Sequence, residues 1–158
     1  MKSLRPRWLA AALAFVMPCA MSAHADAGHA GAHAATPFGQ PGDPAKASRT
    51  IDVAMSDDMR FTPASFAVKR GETIRFVVRN RGEAEHEMVI GTERTLREHA
   101  KEMRAMPGMD HVDPNMVRVK PGGEGELAWT FDRPGRFSVG CLVPGHYEAG
   151  MTGTIVVR

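Results

Sequence analysis

The chain has 158 residues, with 20 basic and 18 acidic side chains, a formal net charge of +2 at pH 7 and two cysteines. This length is sufficient for one domain with a hydrophobic core and shorter flanking segments. The sequence contains no Lys/Arg-rich run and no basic patch interleaved with aromatic residues, so it predicts no nucleic-acid partner.

The first 25 residues have the features of a secretory signal peptide. Three basic residues precede an apolar run from Trp8 to about Ala20, and Ala23-His24-Ala25 fits a small-x-small cleavage site. The run is too short to span a hydrocarbon core of about 30 Å. We therefore expect a cleaved peptide over residues 1–25, a periplasmic protein and no membrane span.

Cleavage at this site would leave one cysteine, Cys141, because Cys19 lies in the removed segment. An intramolecular disulfide would then be impossible. A lone thiol in an oxidising compartment risks oxidation or intermolecular pairing unless it is buried or bound, so the sequence predicts that Cys141 is one or the other.

Residues 26–48 are rich in Ala, Gly, His and Pro and contain almost no large apolar side chain. Such a segment cannot bury enough surface to offset its ordering entropy, and we interpret it as a flexible leader with solvated histidines. From Arg49 onward the pattern changes, which predicts a folded domain over residues 49–158.

This domain is predicted to consist mainly of β-strands. Apolar side chains alternate with polar or small ones in four segments, and Gly- or Pro-containing turns separate them. Many short strands without regular helices between them are typical of an antiparallel sandwich or barrel. The alternating sets are Ile51, Val53 and Met55; Ile74, Phe76 and Val78; Leu127, Trp129 and Phe131; and Phe137, Val139 and Cys141.

One segment has a different pattern. Residues 92–106 are rich in helix formers and contain no Gly or Pro, with Thr92 or Thr95 as the N-cap. We predict a helical insertion that extends to about residue 116 before the strand pattern resumes.

The segment CLVPGHYEAGM, residues 141–151, places Cys141, His146 and Met151 in one loop. A turn at Pro144-Gly145 lets the chain double back and direct all three side chains at one point. Thiolate, imidazole and thioether form a soft donor set that suits copper, and blue-copper sites combine two His and one Cys with a weak axial Met.

Such a site requires a second histidine, and His86 is the best candidate. Ala84, His86, Met88 and Ile90 share the inward face of a predicted strand, while Glu85 and Glu87 face outward. His99 and His111, on the insertion, are the rival candidates. Buried cysteines and methionines also serve as ordinary packing residues, but four suitable donors that include the one remaining cysteine favour a metal site.

Two segments resemble the cupredoxins, the type 1 or blue copper proteins. FSVGCLVPGHYEAGMTGTIVV, residues 137–157, is similar to their C-terminal signature, and HEMVIG, residues 86–91, is similar to their upstream histidine segment. The chain resembles most the exported cupredoxin-like copper-tolerance proteins, which carry a His/Met-bearing insertion between these segments.

The resemblance implies an all-β, cupredoxin-like Greek-key β-sandwich that carries one type 1 copper per chain. His86, Cys141 and His146 would be the equatorial ligands, and Met151 the axial ligand. Many blue-copper proteins have Asn or Ser directly after the upstream histidine, where it helps to fix the cysteine loop, but this chain has Glu87.

The insertion contains further soft donors that form a candidate secondary copper site. Met103 and Met106 share a helix face, but packing of the insertion is the favoured interpretation of these methionines. The candidate residues are Met103, Met106, Met109, His99 and His111.

Two functions are compatible with these features. The first is one-electron transfer through Cu(I)/Cu(II) in support of copper tolerance, with a redox partner docking on the apolar rim Leu142, Val143 and Pro144. The alternative is a copper-sequestering protein with additional Met/His sites and no dedicated partner. We do not expect an enzyme, because the chain lacks the paired His-x-His motifs of multicopper oxidases and has no separate nucleophile and base.

Overall fold

The computed structural model describes residues 36–106 and 112–158, which form two five-stranded sheets and one α-helix. The strands are β1 (Gln40–Pro41), β2 (Arg49–Ser56), β3 (Arg60–Thr62), β4 (Ser65–Val68), β5 (Glu72–Asn80), β6 (His86–Gly91), β7 (Met116–Val119), β8 (Glu124–Phe131), β9 (Gly135–Gly140) and β10 (Thr152–Val157). The helix α1 spans Glu93–Ala105, and a short 3-10 helix spans Pro44–Lys46.

The first sheet has the strand order β1-β8-β5-β2-β3, and the second has β4-β10-β9-β6-β7. The pairs β2–β5 and β4–β10 are parallel, while the other pairs are antiparallel. These two parallel pairs depart from the antiparallel sandwich or barrel that the strand pattern predicted. β3 and β4 lie between β2 and β5 in the chain, and they belong to different sheets, so β5 returns beside β2 in the same direction.

The core lies between the two sheets, as the alternating pattern predicts. Side chains from both sheets form one buried cluster, with Ile74, Phe76 and Phe131 fully inaccessible to solvent. Phe76 makes edge-to-face contacts with Phe66 and Phe131 at centroid distances of 5.6 and 6.4 Å. This packing gives the strand ends that carry the candidate site a fixed position.

The last part of the predicted leader, from Thr36 onward, packs against the first sheet. β1 pairs with β8, and the Phe38 side chain is buried against Trp129 with ring centroids 5.6 Å apart. The indole N–H of Trp129 donates a hydrogen bond of 2.9 Å to the Phe38 carbonyl. One aromatic residue in an otherwise small and polar segment is enough to dock it, because Trp129 offers both an apolar face and a donor.

The predicted helix is present and begins at the predicted cap. The Thr92 hydroxyl accepts a hydrogen bond from the Thr95 N–H, and the Thr95 hydroxyl accepts one from the Thr92 N–H. This reciprocal capping box satisfies two backbone donors that would otherwise lack partners. The helix buries Leu96, Ala100 and Met103 against the outer surface of the second sheet, in a cluster that also contains Val89 of β6.

None of the helices in the described residues is long and apolar enough to cross a membrane. The predicted signal peptide and Cys19 lie outside these residues, as do Met109 and His111.

Candidate metal centre

His86 occupies the first position of β6, where its side chain is fully buried. The turn that precedes it is fixed by Asn80, which is itself buried. The Asn80 amide donates to the carbonyls of Ala84 at 2.8 Å and Val119 at 3.0 Å, and its oxygen accepts the Gly82 N–H at 2.9 Å. A polar residue at the end of β5 thereby determines where β6 and His86 begin.

The segment from Cys141 to Met151 doubles back as predicted. Cys141 follows β9 directly, and its N–H donates to the Met151 carbonyl at 3.1 Å. The Met151 N–H donates to the His146 carbonyl at 3.0 Å, and the His146 N–H donates to Val143 at 3.0 Å. Gly145 has φ of +91°, a conformation that other L-residues rarely adopt, so this glycine is required where the chain turns toward His146.

The structure brings together His86, Cys141 and His146. The two Nδ1 atoms lie 3.1 Å apart, and the Cys141 Sγ lies 3.4 Å from Nδ1 of His146 and 3.9 Å from Nδ1 of His86. Within residues 36–106 and 112–158, this is the one group of three His, Cys or acidic side chains with metal-binding spacing.

These separations fit a single shared ion. Each is shorter than the sum of two metal–ligand bonds of about 2.0–2.3 Å, the lengths seen for zinc with the same ligand types. Two imidazoles and a thiol also match the donor preference of copper.

Burial determines the protonation of the metal-free donors. It raises the pKa of the Cys141 thiol to about 12, although the Glu87 N–H, which donates to the sulfur at 3.4 Å, acts in the opposite direction. Burial and then the neighbouring His86 lower the pKa of His146. The metal-free centre therefore contains a protonated thiol and a neutral His146 imidazole whose lone pair can bind a cation.

Comparison with known proteins agrees with this geometry. Residues 48–158 match the sequence profile of the copper binding proteins, plastocyanin/azurin family. The chain belongs to this family. It is 55% identical to the copper-resistant cuproprotein CopI of Rubrivivax gelatinosus, over 98% of this chain and 97% of that protein. It is 37% identical to the copper-resistant cuproprotein CopI of Pseudomonas aeruginosa, over 97% and 98% of the two chains.

Solved structures of auracyanins share the fold. Dithionite-reduced auracyanin from Roseiflexus castenholzii superposes with a TM-score of 0.61 at 25% identity, over 71% of this chain and 98% of that chain. Auracyanin B superposes with a TM-score of 0.63 at 21% identity, over 79% and 99%, which is a likeness of fold alone. The predicted cupredoxin-like sandwich with a helical insertion is confirmed.

The fourth residue predicted for the copper site, Met151, is fully buried. It belongs to the same core cluster as Cys141, directly before β10. Its role as a copper ligand remains a prediction.

Glu87 was predicted to face outward from β6, but its side chain is not exposed to solvent. Its side chain is 2% exposed because α1 and the ligand loop cover the outer side of β6. One carboxylate oxygen accepts the Leu142 N–H at 3.1 Å, and the other pairs with the Arg118 guanidinium at 3.0 Å. Glu87 therefore fixes the cysteine loop at the position where many blue-copper proteins have Asn or Ser.

Leu142 does not belong to an apolar rim, contrary to the prediction. It is fully buried in the cluster beneath α1, together with Leu96 and Met103. Of the three predicted rim residues, Val143 is half-buried and Pro144 is exposed. One face of α1 is apolar and buried, and Leu142 supplies part of the surface on which it packs.

Three of the candidate secondary ligands line a common cavity of about 390 Å³, which also contacts Asp113. These residues are His99, Met103 and Met106. Met103 is buried and packs in the helix cluster, whereas Met106 is 46% exposed. His99 does not join the group around Cys141, so the structure favours His86 over this rival. Met109 and His111 lie outside the described residues.

Sequence reasoning missed Asp57, which contacts His86 directly. Its Oδ1 lies 2.9 Å from Nε2 of His86. The Glu83 N–H, followed by the His86 ring, lowers the pKa of Asp57, which keeps the carboxylate ionised. Asp57 lies in a polar turn, where the alternation of apolar and polar residues gives no information about contacts. It meets His86 only because the two sheets pack together.

Proposed function

We propose that this chain holds one copper ion as a type 1 centre and transfers single electrons. His86, Cys141, His146 and Met151 are the residues that would hold the ion. The proposal rests on the convergence of two imidazole nitrogens and one thiol sulfur within 3.9 Å of one another. Copper bound there supplies a one-electron couple between Cu(I) and Cu(II).

The chain's contribution is a donor set that is held in place before metal arrives. His86 and Cys141 are buried at strand ends, and the segments that carry them are fixed by hydrogen bonds that Asn80 donates and that the Glu87 carboxylate and the Met151 carbonyl accept. Ligands that are held in this way move little when the charge of an ion changes, which favours rapid electron exchange.

Electrons are proposed to enter and leave through His146. This residue is half-buried and lies beside the exposed Pro144, whereas His86 and Cys141 are inaccessible. A redox protein would dock on the ligand-loop face around Val143 and Pro144. We propose no enzymatic conversion of a second substrate at this centre.

Copper tolerance in the periplasm is the proposed physiological role. Two curated relatives with near-complete coverage are named copper-resistant cuproproteins. The predicted signal peptide over residues 1–25 is the basis for proposing export.

Spectroscopy of the purified protein tests the proposal directly. Addition of Cu(II) should produce an intense visible band from thiolate-to-copper charge transfer, with one copper per chain. Reduction should bleach the band, reoxidation should restore it, and Cys141→Ser should lack it. A copper-loaded wild-type protein without the band would contradict a type 1 centre.

A copper-sequestering function is the second candidate, and the cavity lined by His99, Met103 and Met106 favours it. Thioethers and imidazole are suitable ligands for Cu(I). This function predicts more than one Cu(I) per chain, with the excess lost in a His99→Ala/Met106→Leu variant that keeps the visible band. Deletion of the gene without loss of copper tolerance would contradict a role in tolerance for either candidate.

A further inference from the structure

Asp57 approaches the candidate copper centre from the opposite sheet. It lies in the turn after β2 of the first sheet, whereas His86 opens β6 of the second sheet. Its Oδ1 is 2.9 Å from Nε2 of His86, on the side of the ring away from Cys141. Because an ionised carboxylate can only accept hydrogen bonds, Nε2 must be the donor.

The position of the Asp57 carboxylate is determined by more than its contact with His86. Oδ2 accepts the Glu83 N–H at 2.7 Å, and Oδ1 accepts the Ala84 N–H at 3.3 Å. Gly82 lies against the same carboxylate so closely that a Cβ there would overlap it. The turn before β6 is therefore shaped to receive this side chain.

Fixing the proton on Nε2 leaves Nδ1 with a free lone pair. Nδ1 is the atom that faces Nδ1 of His146 and Sγ of Cys141. We propose that Asp57 is a positioning residue of the copper centre, which orients the His86 ring through Nε2 and favours Cu(II) over Cu(I). This inference rests on the proposed function, since it requires His86 to be a copper ligand.

The preference for Cu(II) follows from charge. A carboxylate that accepts the hydrogen bond from Nε2–H makes the imidazole a more electron-donating ligand at Nδ1. Cu(II) carries the higher charge, so its binding is strengthened more than that of Cu(I). The Asp57 side chain is 44% exposed, so solvent screens its direct field and the hydrogen bond to the ring carries the effect.

Substitution of Asp57 tests the proposal on the copper-loaded full chain. Asp57→Asn should weaken Cu(II) binding by about 10- to 100-fold, the usual cost of removing such a partner. Cu(I) binding should weaken less. Each tenfold difference between the two ions raises the reduction potential by about 59 mV for a one-electron couple.

The matched control is Asp58→Asn, because Asp58 is the exposed neighbour whose carboxylate bonds to the Ser56 hydroxyl. This variant makes the same charge change without touching His86, and its potential should stay at the wild-type value. Equal potentials for the two variants would overturn the proposal. Gly82→Ala keeps every charge but displaces the carboxylate, so it should raise the potential in the same direction as Asp57→Asn, and a wild-type potential would contradict the proposal.

Nitrogen-15 NMR of the metal-free protein provides a test that does not depend on copper. Wild-type His86 should carry its proton on Nε2, and Asp57→Asn should give a mixture of tautomers. A proton on Nδ1 in the wild type would overturn the inference. Failure of the proposed function would appear separately, as a wild-type protein that binds copper without the charge-transfer band.

Discussion

Glu87 and Leu142 join the upstream histidine strand to the cysteine loop. The Glu87 carboxylate accepts the Leu142 N–H at 3.1 Å, and the Glu87 N–H donates to the Cys141 sulfur at 3.4 Å. One residue thus holds the loop through its side chain and the sulfur through its backbone. Arg118 balances the buried negative charge at 3.0 Å.

Glu87→Ala should destabilise the metal-free protein by about 1–3 kcal/mol, because it leaves the buried Leu142 N–H without an acceptor and removes the carboxylate that pairs with Arg118. Urea denaturation measures the change. Glu85→Ala is the matched control, since Glu85 lies 3.8 Å from the same guanidinium but is 42% exposed, and it should cost less than about 1 kcal/mol. Similar losses for the two variants would contradict the structural role of Glu87.

Metal binding should release the Cys141 proton at neutral pH. Burial raises the pKa of this thiol to about 12, so the metal-free protein holds the proton throughout the neutral range and the ion must displace it. Affinity should therefore fall as pH decreases, by about tenfold per unit between about pH 9 and pH 7. Titration with Co(II) against a chelator, followed by thiolate-to-cobalt absorption, measures this slope. An affinity independent of pH would show that the thiol is already ionised.

Phe38→Ala should lower the free energy of unfolding by about 3–5 kcal/mol, since it removes a buried aromatic ring. The ring stacks on Trp129, so the substitution should also expose the indole and shift its fluorescence to longer wavelength. Gln40→Ala, on the exposed side of the same segment, should change neither property. Wild-type stability for Phe38→Ala would show that the segment does not contribute to the fold.

Met103 on α1 and Met106 at the C-terminal cap of α1 should behave differently. Met103→Ala should destabilise the metal-free protein by about 2–5 kcal/mol, because Met103 is on the buried face of α1 and packs in the cluster beneath the helix. Met106→Ala should remain within about 0.5 kcal/mol of wild type, because its side chain is 46% exposed. Thermal unfolding measures both changes. An equal loss for both variants would contradict the assignment of Met103 to the core.

The alternating strands could be predicted from sequence because one face of each sheet packs on the core. Val53 and Met55, for example, are buried with almost no exposed surface, as their spacing requires. The helix cap at Thr92 could also be predicted from sequence, since capping depends on residues that are close together in the chain. Both features depend only on residues within a few positions of one another, so the sequence alone is enough to predict them.

Residues whose environment depends on distant segments could not be assigned in the same way. Alternation places Glu87 on the outer face of β6, and only the packing of α1 and the pairing with Arg118 make that face buried. Phe38 appeared isolated because its partner, Trp129, lies 91 residues away. Asp57 was missed for the same reason, since its role depends on contact between two sheets.

The contact between Asp57 and His86 also shows that the candidate copper centre depends on the packing of the two sheets. Asp57, His86 and Cys141 belong to three segments separated by more than 25 residues each, and no short fragment contains all of them. A partly unfolded polypeptide therefore presents Cys141 without His86 beside it, and the group of three donors forms only with the final tertiary structure. The full set of donors is thus a property of the folded molecule and not of any one segment of the chain.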